Sequence, residues 1–75
     1  MTGEDKGLLA ELTDQELQIA QLAAARHTNK EIAAALNLRE GTIKQYLNRI
    51  FVKLGIDTEA KNKRHQLAKY FPLIN

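Results

Sequence analysis

The chain has 75 residues, one proline and no cysteine, which limits it to one small domain and excludes disulfides and thiolate metal sites. Hydrophobic residues make up 44%, enough for three or four short helices but not for an added layer of strands, so an all-α fold is expected. The net charge of +2 says little, but residues 1–25 carry one base against five acids and residues 26–53 carry six bases against two acids, so positive charge gathers mid-chain.

Residues 1–11 open with a polar stretch holding two glycines and are expected to form a flexible segment or linker, with Leu8, Leu9 and Leu12 able to fold back onto a core. The domain proper is expected over residues 12–75. No apolar run approaches the roughly 20 residues that span a bilayer, and the first residues do not read as a signal peptide. The expectation is a soluble, cytoplasmic protein without a membrane partner.

Thr13-Asp14-Gln15-Glu16 has capping-box spacing, in which a threonine hydroxyl and a glutamate three residues on each accept from the other's amide. A helix should begin there and run to about Ala25, with Ile19, Leu22, Ala23 and Ala24 as its apolar stripe. Thr28-Asn29-Lys30-Glu31 repeats the box, so a second helix follows after a short break, with Ile32, Ala33 and Leu36 inside. It should end at Asn37, a residue type that tolerates the left-handed conformation.

A third helix is read from about Glu40 to Leu54. Its stripe is Ile43, Leu47, Ile50 and Leu54, and Gly55 stands where it should end. The opposite face presents Lys44, Gln45, Asn48 and Val52, with Arg49 and Lys53 to one side. A fourth helix, capped by Asp57 or Thr58 and ended by Pro72, would use Leu67, Ala68 and Phe71 as its inner side.

Two short helices joined by a tight turn, the second with a polar and basic outer face, make a helix-turn-helix arrangement. Ala33 is small enough for close helix approach, and Leu38 and Ile43 fill the wedge. The exposed face of the second helix of such a pair can enter the major groove, which is about 12 Å wide. Asn29 and Lys30 open the helix before it, where free amides and the helix dipole favour a phosphate.

The residues Leu12-Thr13, Glu16, Ile19, Thr28-Asn29-Lys30-Glu31-Ile32-Ala33, Leu36, Thr42-Ile43-Lys44, Ile50-Phe51 and Lys53-Leu54-Gly55-Ile56 together resemble the LuxR/GerE-type DNA-binding domain. The resemblance covers 45 residues without a gap, Leu12 to Ile56. It implies a three-helix core plus a fourth C-terminal helix, sequence-specific binding to double-stranded DNA as a transcriptional regulator or its output domain, and a homodimer through the last helix. It implies Lys44, Gln45 and Asn48 as base readers and Lys30, Thr42, Arg49 and Lys53 as phosphate contacts. A glutamine such as Gln45 can pair bidentately with adenine, and Lys44 can reach guanine N7 and O6.

Four residues depart from the pattern. Arg39 stands in place of the usual serine cap, forfeiting about 1 kcal/mol of helix stability, though its cation can reach a phosphate. Arg26 replaces the usual glycine after the first helix, where a left-handed backbone costs about 1 kcal/mol. Tyr46 replaces the usual histidine, with a phenol able to reach a phosphate or fill the core. Gly41 weakens the first turn of the third helix. Past Ile56 the resemblance resumes at Arg64-His65-Gln66-Leu67-Ala68 after about four inserted residues, and the run Lys61-Asn62-Lys63-Arg64 is not an apolar dimer seam.

Two alternatives share these features: a sigma-factor-like promoter-reading domain, and a helical adaptor that binds protein, for which Val52 would be a contact. His27 and His65 are far apart in sequence and read as ordinary surface positions, and Glu11, Asp14 and Glu16 as complements to a helix start. No nucleophile with its base, metal set or phosphate-cradling glycine loop appears. Neither enzymatic activity, nor a cofactor, nor a small-molecule ligand is expected.

Overall fold

The computed structural model describes residues 9–71, so the expectations for Met1 to Leu8 and for Pro72 fall outside the described residues. Four α-helices lie wholly within them: α1, Asp14–Ala24; α2, Asn29–Leu36; α3, Glu40–Lys53; and α4, Lys63–Ala68. Among the described residues there is no strand.

α1 and α2 begin in the same way. The Glu16 amide donates to Thr13 Oγ1 at 3.1 Å and the Thr13 amide to Glu16 Oε1 at 2.9 Å. Thr28 and Glu31 repeat both bonds at the same distances. Each box satisfies two amides that a helix start would otherwise leave without partners.

The first three helices also end alike. Arg26 at φ 74, Asn37 at φ 59 and Gly55 at φ 72 each turn left-handed. The next amide then bonds back into the helix: His27 to Leu22 at 3.1 Å, Leu38 to Ala33 at 2.8 Å and Ile56 to Phe51 at 2.8 Å. These are the long-range bonds of a Schellman stop, and they satisfy carbonyls the helix end leaves open. Glycine takes this backbone freely and asparagine at small cost, while arginine bears about 1 kcal/mol.

The core lies where α3 packs across α1 and α2. Ile43, Leu47, Ile50 and Leu54 are all buried as the stripe predicts, and Phe51 joins them. They meet Ile32 and Ala33 of α2 and Ile19, Ala20 and Ala23 of α1. On α1 the expected stripe is shifted. Leu22 and Ala24 are only half-buried, and Ala20 with the carboxylate of Glu16 takes the inner positions.

α4 differs most from expectation. It starts at Lys63 after Asn62, which makes no side-chain cap bond, rather than at Asp57 or Thr58. The Asp57 carboxylate is used locally instead, accepting from the Glu59 amide at 2.9 Å, so it closes a turn and caps nothing. Leu67 is buried, Ala68 and Phe71 are half-buried, and α4 packs on α1. The Tyr70 hydroxyl donates to the Leu54 carbonyl at 3.0 Å, tying the segment after α4 to the end of α3.

Candidate nucleic-acid interface

α3 is one-sided. Its inner stripe is buried, which leaves Lys44, Gln45, Asn48, Arg49 and Val52 in solvent. Lys44, Asn48 and Val52 follow one another at i, i+4 and i+8, and Gln45 and Arg49 form the adjacent row, so the three proposed base readers share one face. Val52, at 68% exposure, is the one exposed large hydrophobic residue among those described.

Beside the readers, Thr42, Gln45, Tyr46 and Arg49 line a shallow cleft. The Arg49 guanidinium lies 5.6 Å from the centre of the Tyr46 ring. That cation–π contact sets the exposed Arg49 charge over the half-buried Tyr46 ring, a pairing that composition did not suggest. At the head of α3, Arg39 occupies the cap position, exposed and with no side-chain bond to the helix. Gly41 is also exposed, and a Cβ added there would meet nothing within 4 Å.

α2 contributes Lys30, which is exposed. Its neighbour Asn29 is half-buried and engaged, its Oδ1 accepting from the Arg64 guanidinium of α4. Lys53, grouped with the phosphate contacts by resemblance, is occupied inside the fold. Its Nζ donates to Glu16 Oε1 at 2.7 Å and to the Glu11 carbonyl at 3.3 Å, and its side chain is 30% exposed against 2% for Glu16. Burial alone would raise the Glu16 pKa, but the Lys53 hydrogen bond, the Thr13 amide and the charges of Lys53 and Arg49 outweigh it and hold the carboxyl below its ordinary value.

Sequence reasoning passed over Arg64. Its guanidinium donates to the His27 carbonyl at 2.8 Å and to Asn29 Oδ1, so α4 is fastened to the turn that precedes α2. The structure also draws His27 and His65 to the walls of one groove, although nothing in their spacing suggested it. The available signal was the basic run before Leu67, which reads as surface until its packing partner is known.

Residues 10–68 match the family model described as bacterial regulatory proteins, luxR family. The chain is similar to the DNA-binding transcriptional activator DevR/DosR of Mycobacterium tuberculosis, 41% identical over 54 residues that make up 72% of this chain and 25% of that protein. It is similar to the transcriptional regulatory protein DesR of Bacillus subtilis, 38% identical over 52 residues, 69% of this chain and 24% of the other. A putative transcriptional regulator of Pseudomonas aeruginosa is 38% identical over 64 residues, 80% of this chain and 31% of the other. The chain thus spans about a quarter to a third of the length of these relatives. No solved structure matches significantly.

Proposed function

Because the chain belongs to the LuxR family of bacterial regulatory proteins, we propose that it is the DNA-binding output domain of a transcriptional regulator and places α3 in the major groove. The observation that supports this most is the division of α3 into a buried apolar stripe and an exposed face bearing Lys44, Gln45 and Asn48. An α-helix so divided can rest its inner side on its own domain while its outer side meets base edges.

In this reading Gln45 pairs with an adenine, Lys44 with a guanine, and Asn48 with a base edge one turn further along. Thr42, Tyr46, Arg49, Arg39, Lys30 and Asn29 hold the sugar-phosphate backbone and set the register of the helix. The Lys53 ammonium acts mainly by anchoring α3, because its charge is already met by Glu16. Two copies bind an inverted repeat, pairing through α4 on the DNA. A cytoplasmic location goes with this function.

Selection from a random duplex pool tests the assignment. The chain should enrich a defined site, with half-sites about one helical turn apart, and binding should weaken steeply with salt as counterions are released. Lys44→Ala and Gln45→Ala should each relax preference at one base position, at about 1–3 kcal/mol of discrimination. Lys30→Ala should weaken specific and random duplexes about equally. Equal loss on both duplex types for all three variants would remove the proposed readers.

A further inference from the structure

Outside the α3 face, a groove of about 420 Å³ opens between the end of α1, the start of α2 and α4. Its polar walls include Arg26 and His27 from the α1–α2 turn, Asn29 from α2, and Arg64 and His65 from α4; its floor is alanine. Among the described residues no carboxylate is part of its lining. The exposed Glu31 carboxylate touches two of its residues, accepting from the Thr28 amide and lying 3.3 Å from His27 Nδ1, and makes no bond to Arg64 or Arg26 among the described residues.

Arg64 is the telling residue. It is half-buried, and burial draws its pKa below the ordinary guanidinium value. A cation taken out of water normally gains an anionic partner. Here the guanidinium donates only to two neutral oxygens, the His27 carbonyl and Asn29 Oδ1, and among the described residues it forms no ion pair. A guanidinium has five N–H donors and these bonds use two of them, so donors remain on a side chain that lines the groove, and a guanidinium suits a phosphate oxyanion.

We infer that this groove takes a backbone phosphate of the DNA, held by Arg64 and Arg26, so that α4 belongs to the DNA-contacting surface. The inference rests on the DNA-binding reading above. Continuity favours DNA as the source of the anion, because Asn29 is shared by the groove and by the start of α2, where Lys30 stands exposed. The side chain at position 26 is arginine although its backbone, at φ 74, favours glycine; a charge placed there at a conformational cost is accounted for if the charge is used.

Two variants and a modified duplex test this on the full chain. Arg26→Gly relaxes the left-handed backbone and so should melt at a higher temperature than the parent, yet bind its selected duplex about fivefold more weakly, with the slope of log affinity against log salt reduced by about one. Arg64→Gln should show the same reduced slope while keeping the base preferences set by Lys44 and Gln45. Replacing duplex phosphates one at a time with neutral methylphosphonate should reveal a position that weakens the parent but has no further effect on Arg64→Gln. An unchanged salt slope in Arg26→Gly, or losses that add at every methylphosphonate position, would overturn the phosphate site and leave the α3 reading standing. A parent chain that binds no duplex would overturn both.

Discussion

Three single residues set the local cost of the proposed DNA-facing surface. Arg26 holds a left-handed backbone that glycine takes without strain, Arg39 caps α3 without a side-chain bond, and Gly41 sits in the first turn of α3 with open space beside it. At the last two positions a residue favourable to the helix is absent from the start of α3, the end proposed to meet DNA. Arg39→Ser would supply an oxygen to a free amide of the first turn and stabilise the fold by about 1 kcal/mol. Gly41→Ala would add about 0.5–1 kcal/mol by lowering the entropy of the unfolded chain, since nothing obstructs the new methyl group. Urea midpoints should rise for both while the slope stays constant. The two should part on DNA: Arg39→Ser removes a cation and should weaken binding, and Gly41→Ala keeps every charge. If Arg39→Ser binds as tightly as the parent, Arg39 is not a phosphate contact.

At the scale of the helix, the most consequential link is the one between α3 and α1. One oxygen, Glu16 Oε1, accepts both from the Thr13 amide that starts α1 and from the Lys53 ammonium that ends α3. The bond therefore joins a capping box to the helix that bears the proposed readers. Its pH dependence has a definite sign. Because the folded-state pKa of Glu16 lies below its unfolded value, its contribution is complete above the ordinary glutamate range and is lost as pH falls through the folded value. Glu16→Gln should be less stable than the parent by about 2 kcal/mol near neutral pH, as expected for a lost hydrogen bond between charged groups. The gap in thermal midpoint should close as pH is lowered through the carboxylate range. A gap that stays constant down to pH 3 would mean that the carboxylate charge plays no part. Both capping boxes and the left-handed stops at Asn37 and Gly55 were legible, because each depends on residue types at fixed local spacing, whereas arginine does not signal such a backbone and the stop at Arg26 followed only from the family resemblance. The Lys53–Glu16 bond and the Arg64–His27 bond each join residues 37 positions apart, and no local rule connects such residues. The start of α4 was misplaced for another reason. Asp57, Thr58 and Asn62 all suit a helix cap or a turn, and a helix with Leu67 as its one buried residue imposes too little periodicity to decide between them.

For the whole molecule, the question is how the two copies of the proposed pair would meet. A twofold pair is self-complementary, so each residue near the axis faces the same patch on its partner. Around α4 the exposed side chains are Lys61, Asn62, His65 and Lys69, and pairing through that face would set two basic patches against each other with no exposed large hydrophobic residue between them, Val52 being on α3. Charges of like sign within about a Debye length, roughly 10 Å at 0.1 M salt, repel, and among the described residues no exposed large hydrophobic side chain near α4 offsets the repulsion. DNA changes this balance, because its phosphates supply the neutralising charge along both half-sites. The chain should therefore sediment as a monomer at micromolar concentration and low salt, and bind an inverted repeat as two cooperative copies. Raising the salt should reduce affinity for each half-site far more than it reduces cooperativity, since screening weakens protein–DNA attraction and α4–α4 repulsion together. Lys69→Glu, which sets a carboxylate among the partner's bases and distant from α3 in sequence, should increase cooperativity. A stable dimer without DNA at low salt would contradict this account and point to an interface other than α4.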